Sequence, residues 1–271
     1  MPLRRIALLA AAVALLLALA APAGARAASW ATTSSNWAGY AVSKPGTRFG
    51  RVSATWVAPA VTCGSRARRY SAVWLGLGGL HSTSRALEQV GTEADCAGGK
   101  AYYSAWYELV PAAPVNLKLT VRPGDTISAS VTVSGHTVKL FLANRTRGTS
   151  FAKQLRVDEV DVTSAEWIVE APSACGNNGG CRTLPLADFG VTSFAAAKAT
   201  SATGHSGTIS DAAWSAVAIT LSPHRGARTM RFGSEAGSGS ATPADLSPGG
   251  DAFTVTYQPA ADATAGAPPA T

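Results

Sequence analysis

Ile127-Ser128-Ala129-Ser130-Val131-Thr132-Val133-Ser134-Gly135-His136-Thr137-Val138-Lys139-Leu140-Phe141-Leu142 is the stretch that decides the fold class. Ile127, Ala129, Val131 and Val133 alternate with Ser128, Ser130 and Thr132, so a strand here has one apolar face and one hydroxyl-bearing face. Pro123-Gly124-Asp125 sets a turn before the run and Ser134-Gly135-His136 sets one after it. The return through Val138–Leu142 predicts a hairpin.

The same grammar extends in both directions. Val52–Val57, Ser71–Leu77, Tyr102–Val110, Val115–Val121, Trp214–Leu221 and Phe253–Tyr257 read as further strands, and no sustained helical periodicity occurs past residue 30. Strands at this density without helices between them predict an all-β fold, an antiparallel sandwich or barrel. Residues 28–259 suit one domain, since β-sandwiches of this length are routine. Residues 233–250, rich in Gly, Ser and Pro, read as a long loop, and residues 260–271 as a disordered Ala/Pro/Thr-rich tail.

At the N-terminus, Arg4 and Arg5 precede an apolar run from Ile6 to Ala20, and Ala25-Arg26-Ala27 offers small residues for cleavage. This predicts a signal peptide over residues 1–27. The run is shorter than the ~20 residues of a membrane-spanning helix. With no later segment apolar enough to span, the expected mature protein is secreted and extracellular, without stable membrane association. The chain carries 23 Lys+Arg against 16 Asp+Glu, and without residues 1–27 the balance is 20 against 16. So mild an excess, with only Arg66, Arg68 and Arg69 clustered, reads as a solvated loop and argues against a nucleic-acid partner. Arginine in preference to lysine and abundant alanine fit a GC-rich bacterial genome.

Cys63, Cys96, Cys175 and Cys181 suit an oxidising compartment, and four cysteines allow three pairings. The Gly-Asn-Asn-Gly-Gly loop is flexible enough to let Cys175 and Cys181 meet, which would leave Cys63 with Cys96, but sequence alone does not choose. Zinc is the rival reading. It lacks Cys-x-x-Cys and His-Glu-x-x-His spacing, and His81, His136, His205 and His224 are scattered, so no metal is expected. No Gly-x-Ser-x-Gly elbow is present, and Gly204-His205-Ser206-Gly207 does not match one. Asn144-Arg145-Thr146 matches a glycosylation sequon and is read as coincidence.

Candidate chemistry lies on three strands. In Ala165–Glu170, Trp167 and Val169 suit a core face, so Glu166, Ile168 and Glu170 share the opposite one. In Leu87–Gly91, Gln89 shares a face with Leu87 and Gly91, and the small Gly91 is expected to leave open space beside it. Ser104, Trp106, Glu108 and Val110 share a face on the third strand. A carboxylate can activate water, and an amide N–H can stabilise an oxyanion.

These stretches, in order, resemble the glutamic peptidases of the eqolisin type, family G1. The matching pieces begin with Ser35-Asn36-Trp37-Ala38-Gly39, Trp74-Leu75-Gly76-Leu77 and Leu87-Glu88-Gln89-Val90-Gly91. Tyr103-Ser104-Ala105-Trp106-Tyr107-Glu108, Pro123-Gly124-Asp125, Ala165-Glu166-Trp167-Ile168-Val169-Glu170, Ala187-Asp188-Phe189 and a terminal Val-Thr-Tyr follow. The resemblance covers almost the whole mature domain. It implies a concanavalin-like sandwich with a concave active-site sheet. The implied enzyme is an acid-acting endopeptidase that needs no cofactor, acts on polypeptides and works as a monomer. It implies a catalytic pair at Gln89 and Glu170, with Trp74, Trp106 and Glu108 lining the cleft. The chain departs from the family at Gly78, where an aspartate is common, and at Val110, where an aromatic is. The first removes a carboxylate from near the active centre. The Ser-Asn-Trp stretch begins within about ten residues of the signal's end, so no long prosegment is expected. A carbohydrate-binding module, or a glycosidase using Glu108 and Glu170, is the alternative on the same sandwich, but neither gives Gln89 a role.

Overall fold

The hairpin read from the alternation forms as β8 (Thr126–Ser134) and β9 (Thr137–Asn144), with Ile127 opposite Asn144 and Ser134 opposite Thr137. Gly135, at φ +57°, makes the tight turn between them. Ile127, Val131, Val138, Leu140 and Leu142 are buried. Asp125 fastens the open end of the hairpin: its Oδ2 accepts from Asn144 Nδ2 at 2.7 Å and from Arg147 Nε at 2.7 Å. Burial alone would raise the Asp125 carboxyl, but Arg147, Asn144 and the Arg122 N–H outweigh it and hold it below its ordinary value. Asn144 is fully buried in this network, so the sequon cannot be reached by a glycan.

The structure, a computed structural model, describes residues 30–64, 66–176, 180–222, 233–234 and 239–260. The expected signal peptide, and the expected tail beyond Ala260, lie outside the described residues. In chain order the strands begin with β1 (Trp30–Ser34), β2 (Trp37–Ser43), β3 (Phe49–Val57), β4 (Ala72–Leu77), β5 (Leu87–Ala97), β6 (Lys100–Val110) and β7 (Val115–Asn116). Next come β8 (Thr126–Ser134), β9 (Thr137–Asn144), β10 (Thr149–Arg156), β11 (Ser164–Glu170), β12 (Ser173–Cys175) and β13 (Cys181–Thr183). The series ends with β14 (Val191–Ser201), β15 (Ser206–Gly207), β16 (Ser215–Leu221), β17 (Gly233–Ser234), β18 (Ser240–Pro243) and β19 (Phe253–Gln258). No helix occurs among the described residues, and thus none is long and apolar enough to cross a membrane.

Hydrogen bonding runs continuously from β10 through β9, β8, β3, β14, β19, β18, β16, β2, β11, β4, β5 and β6 to β7. The path folds back on itself near β18, and its two halves pack face to face as an all-β, mainly antiparallel sandwich. Between them lies one large core that includes Trp56, Trp167, Phe49, Phe194, Leu75, Leu140 and Leu142. Two indole N–H groups tie the layers together: Trp167 Nε1 donates to Ser53 O at 3.1 Å, and Trp56 Nε1 donates to Thr92 Oγ1 at 3.0 Å. Disulfides join Cys63 to Cys96 and Cys175 to Cys181.

Two sequence expectations are revised. The strand expected over Val115–Val121 is only Val115–Asn116, because Pro114 before it and Pro123 after it interrupt the ladder. The 233–250 stretch, expected as loop, contains β18, whose Ser240–Pro243 pairs with β19 and closes the sandwich.

Candidate active site

The face of the β2–β11–β4–β5–β6 sheet that points away from the main core carries a second, smaller apolar cluster. It consists of Trp37, Ala41, Ala72, Trp74, Leu87, Trp106, Ile168 and Ile219. Residues directly opposite on antiparallel strands share a face, so the register reads out rows of side chains across this sheet. One row runs Glu166, Gly76, Gln89, Glu108. The next, two residues along, runs Ile168, Trp74, Gly91, Trp106. A third runs Trp37, Glu170, Ala72, Glu93, Ser104.

The first row brings a primary amide and a carboxyl to either side of a glycine. With strands ~4.8 Å apart, the Gln89 and Glu166 backbones stand roughly 10 Å apart across Gly76. A Cβ at Gly76 would meet Glu88 O and Leu87 Cδ1 at 3.0 Å and Gln89 Cβ at 3.2 Å, so only glycine fits here without crowding and Leu87 borders the row. Gln89 Nε2 donates to Glu108 Oε2 at 2.6 Å. That carboxylate fixes which way the amide points, since only the NH₂ end can donate to it. Gln89 Oε1 and Trp106 Nε1 are buried without a hydrogen-bond partner, and the Glu166 carboxyl has only the Ser164 hydroxyl beside it, outside good hydrogen-bond geometry. Buried polar atoms are ordinarily paired, and the unpaired Gln89 Oε1 and Trp106 Nε1 on one sheet face mark a place that can receive polar groups. Burial pushes the Glu166 carboxyl well above its ordinary value. The Ser164 hydroxyl acts the other way, and the charges of Asp161 and Glu88 add to the rise. Glu108 is raised by burial, partly offset by the Gln89 donor.

The third row is chemically satisfied. Glu170 Oε1 accepts from Asn36 Nδ2 at 3.0 Å, and Glu170 Oε2 accepts from Trp74 Nε1 at 2.7 Å. Asn36 is itself held by Ser34, whose Oγ donates to Asn36 Oδ1 at 3.1 Å. Burial raises the Glu170 carboxyl to about 8; the Trp74 donor opposes it and the Glu108 charge adds to it. Along the strand Glu170 lies roughly 13 Å from Glu166, and its carboxyl leans back to the Trp74 row, within reach of the Glu108 charge.

Of the residues picked from the sequence, Gln89 and Glu108 therefore meet directly, Trp74 and Glu170 meet directly, and Trp106 lies in the row between the two pairs. Gln89 and Glu170 share no hydrogen bond, but Glu108, which holds the Gln89 amide, is near enough for its charge to act on Glu170. Glu166, quoted in the Ala165–Glu170 stretch but given no role, is the carboxyl in Gln89's own row. Alternation already put it on the right face, but only the strand register says which glutamate lies opposite which glutamine. Gly91 does not leave open space either: a Cβ there would lie 2.6 Å from Trp74 Cβ and 3.1 Å from Trp106 Cζ2, so the two indoles close over it. No cluster of three or more His, Cys, Asp or Glu arranged to hold a metal ion occurs among the described residues.

Residues 35–230 match the model of the Peptidase A4 family, and the chain belongs to that family. The chain is thus a peptidase. It is similar to scytalido-glutamic peptidase, solved with a transition-state analogue inhibitor, at 27% identity and a TM-score of 0.65 over 83% of this chain and 98% of that one. It is similar to SCP-B, a member of the eqolisin family solved with the tripeptide Ala-Ile-His, at 26% identity and a TM-score of 0.60 over 83% of this chain and 98% of that one. Aspergilloglutamic peptidase from Aspergillus niger matches at 27% identity and a TM-score of 0.52, over 70% of this chain and 99% of that one. A search of individually curated proteins gave no match.

Proposed function

We propose that the protein is a secreted, monomeric endopeptidase in which Glu166 is the general base and Gln89 the oxyanion donor. The observation that carries this reading is the Gln89–Gly76–Glu166 row with its unpaired oxygens. Glu166, ionised, takes a proton from a water lodged over Gly76, and the water oxygen bonds to the scissile carbonyl carbon. The carbonyl π electrons move onto oxygen. Gln89 has a second N–H beyond the one given to Glu108, and it donates to that oxyanion. Glu166 then passes its proton to the leaving nitrogen as the C–N bond breaks. Trp106 Nε1 is free to donate to a substrate carbonyl beside the row. Glu170 supports the cleft wall by holding Asn36 and Trp74 in place.

A carboxyl that acts first as base and then as acid works best near its own pKa. Burial lifts Glu166 above its ordinary value, so the working range belongs above the ~4.3 of a free glutamic acid. Export follows from the signal-like residues 1–27, and two disulfides suit an oxidising compartment.

Digestion of denatured casein across a pH series tests the assignment with purified wild type, Glu166→Gln and Glu170→Gln. Peptide release should vanish in Glu166→Gln and persist in Glu170→Gln. The opposite ranking would return the base to Glu170, and full activity in both would remove the carboxyl mechanism.

A further inference from the structure

We propose that Trp30 forms an outlying substrate subsite: an exposed indole at the rim of the active-site sheet that binds an apolar side chain of the polypeptide, several residues away from the bond being cut. The inference deepens the peptidase reading and rests on Gln89 marking the scissile bond. It does not depend on which glutamate is the base.

Trp30 stands apart from the other tryptophans of this chain. Of the seven, six are at most 6% exposed, whereas Trp30 is 67% exposed. Among the described residues its indole has no hydrogen-bond or ring partner. Exposure by itself would mean little, since lone apolar residues are common on protein surfaces. What matters is where the indole lies. β1 pairs in parallel with β16, with Trp30 opposite Val217. Residues in register on neighbouring strands share a face, and Val217 packs on the outer-face cluster rather than in the main core. The row continues from Val217 to Ala41, Glu166, Gly76 and Gln89. Trp30 is therefore the far end of the row of side chains that carries Gln89.

Distance sets what can reach both. Five inter-strand steps of ~4.8 Å put Trp30 about 24 Å from Gln89 along the sheet. An extended peptide rises ~3.3 Å per residue, so about seven residues span that interval. The ground between is apolar. Val217 and Leu80 lie half-buried on the cluster that holds Trp37, Ala41 and Ile219. Glu166, the charge-bearing side chain in this part of the row, is fully buried. A peptide running from Gln89 towards β1 thus meets apolar surface and then the indole. Thr32, exposed on the same face of β1, stands opposite Ile219 and adds a hydroxyl beside it. An indole offers a broad apolar face and one N–H, which suits an apolar side chain flanked by peptide groups. β1 precedes residues 35–230, the part matched by the family model, so the subsite is contributed by a strand outside that match.

Peptides of two lengths around one scissile bond test the subsite with purified wild type, Trp30→Ala and Trp30→Phe. The long peptide extends about ten residues to each side of the bond and the short one about three, so only the first can reach β1. Trp30→Ala should lower kcat/KM roughly tenfold on the long peptide, through KM, as loss of an aromatic binding contact does. On the short peptide it should match wild type. Trp30→Phe should recover most of the loss. Serine in place of the apolar residues about six to eight positions from the bond should erase the difference between wild type and Trp30→Ala. Equal losses on both peptides, or none on either, overturn the subsite. Failure of the Gln89 assignment reads differently: Gln89→Ala would then cut both peptides like wild type, while the penalty of Trp30→Ala confined to the long peptide would persist at another spacing from the bond.

Discussion

Glu166 and Glu170 occupy one strand and one face, four residues apart, yet they are opposite in chemical condition. Both are drawn above their ordinary pKa by burial. Both stand across a small residue of β4 from a polar side chain of β5, Glu166 across Gly76 from Gln89 and Glu170 across Ala72 from Glu93. Glu170 has its oxygens taken by Asn36 and Trp74, whereas Glu166 has only the Ser164 hydroxyl beside it, outside good hydrogen-bond geometry. A carboxyl whose lone pairs are already occupied is a structural joint, and one held beside a gap with free lone pairs can act on a guest. The contrast teaches that residue type and face do not assign a role. Supply of partners does.

The sharpest way to break the contrast is to neutralise each glutamate. Glu166→Gln should cost about 10²–10⁴ in kcat, the usual worth of a positioned base, while Glu170→Gln should stay within a few-fold of wild type. Gln89→Ala comes next, with an expected loss of roughly 10²–10³ in kcat from the missing oxyanion donor; a rise in KM with kcat intact would make Gln89 a binding residue instead. Glu170→Gln should show itself in stability. Its NH₂ would face the N–H of Asn36 or Trp74, leaving a buried donor unpaired at about 1–3 kcal/mol. That is roughly 2–12 °C in Tm for a domain of this size, readable by calorimetry.

The smallest effect is the pH dependence of that melting temperature. Glu88 and Glu170 are raised to about 8 and Asp95 to about 7, with burial the leading cause each time, and Glu166 is raised as well. These folded values lie above those of the unfolded chain, so between the two the folded state binds more protons. Their contribution is full below about pH 4 and is lost as pH climbs towards 8. Asp125 and Asp161 run the other way: their folded values are lowered, so their contribution is present above the ordinary value and lost beneath it. Tm should therefore be highest near pH 4–5 and fall by pH 8. A Tm that climbs over that interval would contradict the burial of these carboxyls.

Much of this was legible in one dimension. The Ile127–Leu142 hairpin formed as read, with its alternate residues buried. Trp167 and Val169 lie in the main core while Ile168 lies in the outer-face cluster, as alternation required. Gln89, Trp106 and Glu108 fall on the face expected for them. The misreadings share a cause. A lone glycine in sequence predicts open space at Gly91, but the two indoles that fill it come from β4 and β6, which its own strand does not reveal. Trp30 carried no signal at all: only the pairing of β1 with β16, and of β16 with β2, sets its indole in line with Gln89.

Alternation and turn residues are local properties of the chain, since a strand's side chains change face at every residue whatever lies next to it. They determined by themselves that this is an all-β protein and which side chains leave the core. Register is a property of pairs of strands, set by how the whole sandwich packs. Only the assembled structure could decide that Gln89 looks across Gly76 at Glu166, that Glu170 is claimed by Asn36, and that Trp30 stands at the far end of the Gln89 row.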